Sequence, residues 1–82
     1  MPLAIVIPAY NTQASLDRVL SEIPEHLRSG VIVIDDGSDT PIHAADVRLI
    51  RHPENRGYGA AQKTGYDAAI EMGAERVVLL HG

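Results

Sequence analysis

Cysteine, tryptophan and phenylalanine are absent from this sequence of 82 residues, and its aromatic side chains are three tyrosines. Without cysteine the chain has neither a disulfide framework nor a thiolate metal site. Basic residues are fewer than acidic ones, seven against eleven, which argues against a broad basic surface for nucleic acid. The apolar runs are far too short to cross a bilayer. We therefore expect a mildly acidic protein with no nucleic-acid partner.

The length lies below the usual domain size of about 100–150 residues. We expect residues 1–82 to form one domain at most, or an incomplete part of a larger one. The amino-terminal segment enters an apolar strand with no basic region and no cleavage site, which is unlike a signal peptide. We expect a cytoplasmic protein, with attachment to the cytoplasmic face of the membrane through parts beyond these residues as the alternative.

Four short apolar runs predict strands. Residues 3–7, 31–34 and 77–80 are uniformly apolar, which is typical of parallel strands buried on both faces. Residues 47–50 are interrupted by Arg48, which favours a position nearer the edge of the sheet.

Two segments between these runs predict helices. Apolar residues from Leu16 to Ile23 follow helical spacing; Asn11 or Thr12 is the expected cap, and Pro24 ends the helix. Residues 57–72 are rich in alanine, and Gly73 is placed as a carboxyl-terminal cap. The side chains predicted to face inward on this second helix are Ala61, Gly65, Ala68 or Ala69, and Met72.

The alternation of strands and helices predicts an α/β fold, a three-layer α/β/α sandwich around a mainly parallel sheet. Ligands of such sheets bind outside the carboxyl ends of the strands. Polar stretches lie at three of these ends: PAYN at 8–11, DDGSD at 35–39 and HPENRGYG at 52–59. Adjacent strand residues point to opposite faces, so we expect one of Asp35 and Asp36 to bind a base or ribose and the other to brace the loop. An ordinary Asp-Gly-Ser turn is the alternative.

Other candidates follow the same strand ends. Tyr10 is placed to stack on a planar base or to cover a sheet edge. Gly57 and Gly59 precede a helix whose amino terminus is suited to phosphate, with Arg56 and Lys63 nearby; a closely packed turn is the alternative.

The four histidines lack metal-ligand spacing. His26, His43 and His52 are expected at the surface or in turns, while His81 directly follows a predicted strand. The first loop is not rich in glycine, so neither a Rossmann dinucleotide site nor a phosphate-loop hydrolase is indicated. A receiver domain would carry its acidic pair after the first strand.

Three blocks taken together resemble the opening of a family 2 glycosyltransferase with the A-type, nucleotide-diphospho-sugar transferase-like fold. They are VIPAYN at 6–11, VIDDGS at 33–38 and NRGYGAAQKTG at 55–65. The resemblance implies transfer of a sugar from a nucleotide-diphosphate donor, usually with inversion, with Pro8, Ala9, Tyr10 and Asp36 around the base. The nucleotide-sugar-binding residues that we predict are Pro8, Ala9, Tyr10, Asn11, Asp35, Asp36, Gly37, Ser38, Arg56, Gly57, Gly59 and Lys63.

The resemblance also concerns the end of the chain. In the family, the strand matching residues 77–80 runs into an acidic D-x-D-like motif that holds a divalent cation, magnesium or manganese, on the donor diphosphate. The sequence stops just short of that motif, at His81-Gly82. The resemblance therefore implies a truncated half-domain with no catalytic residue and no metal site of its own, inactive by itself. The HG ending resembles members that act on polyprenyl phosphates, so the implied acceptor is a polyprenyl phosphate or a glycan.

A non-catalytic module that keeps the half-fold for nucleotide binding or for interaction, including oligomer formation, is the alternative. A nucleotidyltransferase is less favoured, because its first loop should be rich in glycine and arginine.

Overall fold

The structure, a computed structural model, describes residues 2–81. Its helices and strands follow the predicted order, with bounds within two residues of the prediction, and an additional 3-10 helix stands before the second strand. The elements are β1 (Leu3–Ala9), α1 (Gln13–Glu22), the 3-10 helix (Glu25–Gly30), β2 (Val31–Asp35), β3 (Arg48–Arg51), α2 (Tyr58–Glu71) and β4 (Arg76–Leu79). The turn predicted at His81-Gly82 lies partly outside the described residues. No helix between residues 2 and 81 is long and apolar enough to cross a membrane.

All four strands are parallel, in the order β3-β2-β1-β4. β1 is central: Ile5 pairs with Val31 on one side and with Val78 on the other, and Leu3 pairs with Arg76. The strand order reverses beside β1, because β2 and β3 lie on one side of it and β4 lies on the other. This reversal is the switch point at which open parallel sheets bind ligands.

Each face of the sheet carries its own apolar core, because successive side chains of a strand alternate between the faces. One core lies under α1: Ile5, Ile7, Ala9, Leu16, Leu20, Val31, Val33 and Ile42. The other lies under α2: Ala4, Val6, Ile32, Ile34, Ala61, Ala68 and Ala69. The predicted three-layer α/β/α sandwich is therefore confirmed.

Helix α2 packs close to the sheet through small residues, as predicted. Gly65 lies directly over Val6, and a Cβ added at Gly65 would overlap Cγ1 of that valine. Ala61, Ala68 and Ala69 are buried on the same face. The helix ends where the sequence places its cap: Gly73 has φ +79°, a conformation that glycine adopts without a Cβ penalty.

Two sequence expectations need correction. β4 was expected to be buried on both faces, but Val77 and Val78 are 37% and 41% exposed, because β4 is an edge strand with β1 as its neighbour. Thr12 stands at the cap position of α1, yet within the described chain its side chain makes no capping hydrogen bond. Asn11 adopts a left-handed conformation with φ +52° and is bonded elsewhere.

Candidate functional site

A cleft of about 340 Å³ opens at the carboxyl end of β1, between that strand and the first turns of α2. It lies beside the switch point of the sheet. Its wall is made by Pro8, Ala9, Tyr10, Asp36, Asn55, Gly57, Tyr58 and Ala61. Five of these were among the predicted nucleotide-binding residues, and the other three belong to the predicted second helix or to the block that carries the resemblance.

Asp35, at the end of β2, is a brace for the loop that follows. Its side chain is buried, and it accepts hydrogen bonds from the backbone N–H groups of Ser38 at 2.9 Å and Ile42 at 3.0 Å. Arg51, at the end of β3, completes the set with an Nη1–Oδ2 distance of 2.6 Å. The two lone pairs of Oδ2 are thus directed at the protein itself, which agrees with a bracing role.

Asp36 accepts hydrogen bonds from the loop between β3 and α2. Its side chain points away from that of Asp35. Its Oδ1 accepts from the His52 ring at 2.7 Å and from the N–H of Arg56 at 3.0 Å. Its Oδ2 accepts from the N–H of Gly57 at 2.9 Å and, more distantly, from Asn55 Nδ2 at 3.3 Å. A carboxylate has about four acceptor positions, so Asp36 is saturated by groups of its own chain.

The amino terminus of α2 therefore already faces a carboxylate. Anions are favoured at this end of a helix by the exposed N–H groups and the helix dipole, and Asp36 supplies the negative charge. The N–H groups of Arg56 and Gly57, expected near a phosphate, donate to Asp36 instead.

His52 was expected at the surface or in a turn, and this is wrong. The residue is 5% exposed, with Nδ1 against Asp36 and Nε2 2.8 Å from the hydroxyl of Thr64. The acidic pair at 35–36 was visible in the sequence, but its pairing with a histidine sixteen positions later was not. The position of His52 directly after β3, at a strand end like the predicted site residues, was the available signal.

Other predicted residues do not line the cleft. They connect the loops that follow β1, β2 and β3 to one another. The N–H of Asn11 donates to the Ser38 hydroxyl at 2.9 Å, and its side-chain oxygen accepts from the N–H of Asp39 at 2.8 Å. Gly37 has φ +74°, and a Cβ there would overlap the backbone of Glu54 and Asn55. Asn11, Asp35, Gly37 and Ser38 thus hold the strand ends together.

The remaining predicted residues lie outside the cleft wall. Arg56 contributes its backbone N–H to Asp36, and its side chain is not among the lining groups. Gly59 and Lys63 also lie outside the wall; the ammonium of Lys63 is 3.2 Å from Asp67, its neighbour one turn later on the exposed face of α2.

A larger depression of about 700 Å³ lies between the start of α1 and the segment after Asp39. Of the predicted residues, Asn11 alone lines it. We favour the smaller cleft because it gathers the predicted residues at the switch point of the sheet.

Both carboxylates are held in the ionised form. Burial by itself would raise the pKa of Asp35, but hydrogen bonds from Ile42, Ser38 and Arg51 outweigh it and keep that pKa below the ordinary value. Burial would likewise raise the pKa of Asp36, but the hydrogen bonds from His52, Arg56 and Gly57 keep that pKa below the ordinary value.

These lowered pKa values predict acid sensitivity. The unfolded chain takes up protons at Asp35 and Asp36 at a higher pH than the folded chain does, so the free energy of unfolding should fall as the pH drops from about 5 to 2. Above this window these two groups contribute a constant stabilisation. Urea unfolding at a series of pH values measures the effect, and a midpoint that stays constant through the acid range would contradict the prediction.

Comparison with known proteins finds that this chain is similar to glycosyltransferases. The profile of the family described as Glycosyl transferase family 2 matches residues 4–71. The UDP-N-acetylglucosamine–dolichyl-phosphate N-acetylglucosaminyltransferase of Methanococcus voltae is 27% identical in an alignment of 95 positions that covers 90% of this chain and 38% of that protein. The pre-mycofactocin glycosyltransferase of Mycobacterium tuberculosis is 34% identical over 73 residues, 80% of this chain and 15% of its own length.

The chain thus spans well under half the length of these two relatives. The family match covers α2 and the three loops that follow β1, β2 and β3, including every residue of the cleft wall. The chain therefore belongs to glycosyltransferase family 2.

Proposed function

We propose that this chain forms the donor-binding part of an enzyme that transfers a sugar from a nucleotide-diphosphate donor. The cleft carries the proposal, because it brings Pro8, Ala9 and Tyr10 together with Asp36 and Gly57 at the switch point of the sheet. Family membership supports glycosyl transfer as the class of reaction.

The cleft has one apolar side and one polar side. Pro8 and Ala9 are buried, and Tyr10 is 46% exposed, so its ring is available for a planar base to stack on. We place the nucleotide base here. The diphosphate is not placed at the start of α2, because the N–H groups of Arg56 and Gly57 already donate to the Asp36 carboxylate, whose charge would repel it. Asp36 then supports base recognition by holding the opposite wall of the cleft.

The acceptor is proposed from the relatives. The protein from Methanococcus voltae is named for a dolichyl phosphate, and on that basis we propose a polyprenyl phosphate as the acceptor, with a glycan as the alternative.

A divalent cation does not fit the residues described. Between residues 2 and 81 no three histidine or carboxylate side chains come together in a way that could hold a metal ion. Asp35 and Asp36 are already bonded to protein donors. We propose that magnesium or manganese acts in the full-length protein through other residues, so that nucleotide binding to this chain is independent of either ion.

Calorimetric titration with uridine diphosphate and guanosine diphosphate tests the proposal. We expect one of them to bind in the same way with and without manganese, and Tyr10→Ala to weaken that binding by about 1–3 kcal/mol, because a base loses its stacking partner. Tyr66→Ala is the matched control: Tyr66 is also a half-exposed tyrosine, but it lies on α2 outside the cleft wall. Equal losses in the two variants, or binding of neither nucleotide, would count against this cleft as the donor site.

A further inference from the structure

His52 joins three elements at one point inside the protein. It follows β3 directly, its Nδ1 is 2.7 Å from Asp36 at the end of β2, and its Nε2 is 2.8 Å from Thr64 on α2. The ring is nearly fully buried and does not line the cleft. It is therefore not placed to touch a bound ligand.

The partners of the ring determine where its proton lies. An ionised carboxylate can only accept hydrogen bonds, so Nδ1 must carry a proton and donate it to Asp36. Nε2 lies against the hydroxyl of Thr64, which is able to donate or to accept, so this nitrogen is also hydrogen-bonded. Each ring nitrogen has one partner, and the ring orientation is fixed on both sides.

The same carboxylate holds the wall of the cleft. Asp36 Oδ1 accepts from both His52 and the N–H of Arg56, while Oδ2 accepts from the N–H of Gly57. A rotation of the carboxylate would break the hydrogen bonds from both N–H groups. The start of α2, which follows directly, would then no longer be held in place. Gly57 and Tyr58, which follow at once, line the cleft.

We propose that His52 is a positioning residue: its Nδ1–H orients the Asp36 carboxylate, which holds Arg56 and Gly57 and thereby places the Gly57–Tyr58 wall of the cleft. The role of the cleft in donor binding rests on the proposed function. The hydrogen bonds that Asp36 accepts from His52, Arg56 and Gly57 do not depend on it.

Two isosteric variants separate positioning from simple burial. In His52→Asn the amide nitrogen takes the place of Nδ1 and keeps a donor towards Asp36. In His52→Gln the amide reaches the place of Nε2 and faces Thr64 instead. Both variants put an amide in a buried site, so both should melt at a lower temperature than the wild type.

We expect the dissociation constant for the nucleotide diphosphate that binds the wild type to stay within about threefold in His52→Asn and to rise at least tenfold in His52→Gln, about 1.4 kcal/mol. The amide proton resonances of Arg56 and Gly57 should stay near their wild-type positions in His52→Asn and move in His52→Gln. Equal affinities and equal amide shifts in the two variants would overturn the proposal.

A measurement on the wild type holds even where His52→Gln fails to fold. Long-range nitrogen–proton spectra of the imidazole should show the proton on Nδ1, and a ring whose Nδ1 is unprotonated would overturn the proposal. If the wild type binds neither nucleotide, the proposed function fails, and the tautomer and the two amide resonances still decide the role of His52.

Discussion

Asp35→Ala is expected to lower the free energy of unfolding by about 3–5 kcal/mol, comparable to the whole stability of many domains of this size. The carboxylate is 1% exposed and satisfies the N–H groups of Ser38 and Ile42. Alanine would leave these two donors without their acceptor, at about 1–3 kcal/mol for each buried group. Urea or thermal unfolding followed by circular dichroism gives the measurement.

The matched control removes the ion pair, together with a hydrogen bond from Arg51 Nη2 to the Ser38 carbonyl at 3.1 Å, and leaves the buried N–H bonds to Asp35. Arg51 is 38% exposed, and ion pairs with an exposed partner contribute about 0–1 kcal/mol. Arg51→Gln should therefore cost far less than Asp35→Ala. Equal losses in the two variants would mean that the ion pair, and not the loop N–H groups, accounts for the stabilising effect of Asp35.

Gly65→Leu is expected to destabilise the chain by about 3 kcal/mol, the upper end of the usual range for overpacking. The first added carbon already overlaps Val6, a fully buried residue of the central strand. Because valine is branched at Cβ and has few alternative rotamers, the helix itself would have to move away from the sheet.

Gly59→Leu is the control for this change, in the same helix. A Cβ at Gly59 meets no atom within 4 Å apart from its chain neighbours and the backbone of its own helix, among the residues described. Leucine favours a helix over glycine by up to about 1 kcal/mol. We expect this variant to be as stable as the wild type or more so. If the two leucine variants melt together, the close contact between α2 and β1 is not formed in solution.

Elements and cores followed from the sequence because they depend on local patterns. The uniformly apolar runs at 3–7 and 31–34 predicted strands covered on both faces, and the small residues of α2 predicted its close approach to the sheet. The exposure of Val77 and Val78 did not follow, because it depends on β4 lying at the sheet edge. An apolar run looks the same in a central strand and in an edge strand.

The location of the candidate site could be predicted from the sequence, but most of its side-chain contacts could not. The opposite orientations of Asp35 and Asp36 follow from strand geometry, and the strand ends do form the cleft wall. The role of His52 was missed because both of its partners are distant in sequence and are brought together by packing. For the same reason Ser38 and Asn11, expected at the ligand, turn out to be bonded to each other.

The position of β1 has a consequence for how the chain folds. Its pairing of Leu3 with Arg76 joins opposite ends of the described range, and contacts so distant along a chain form slowly. Until β4 pairs with it, β1 is an apolar strand with one unpaired edge. Such an edge can pair with strands of other chains. Because β4 is itself half-exposed, its detachment is the opening step through which aggregation of this protein is expected to begin.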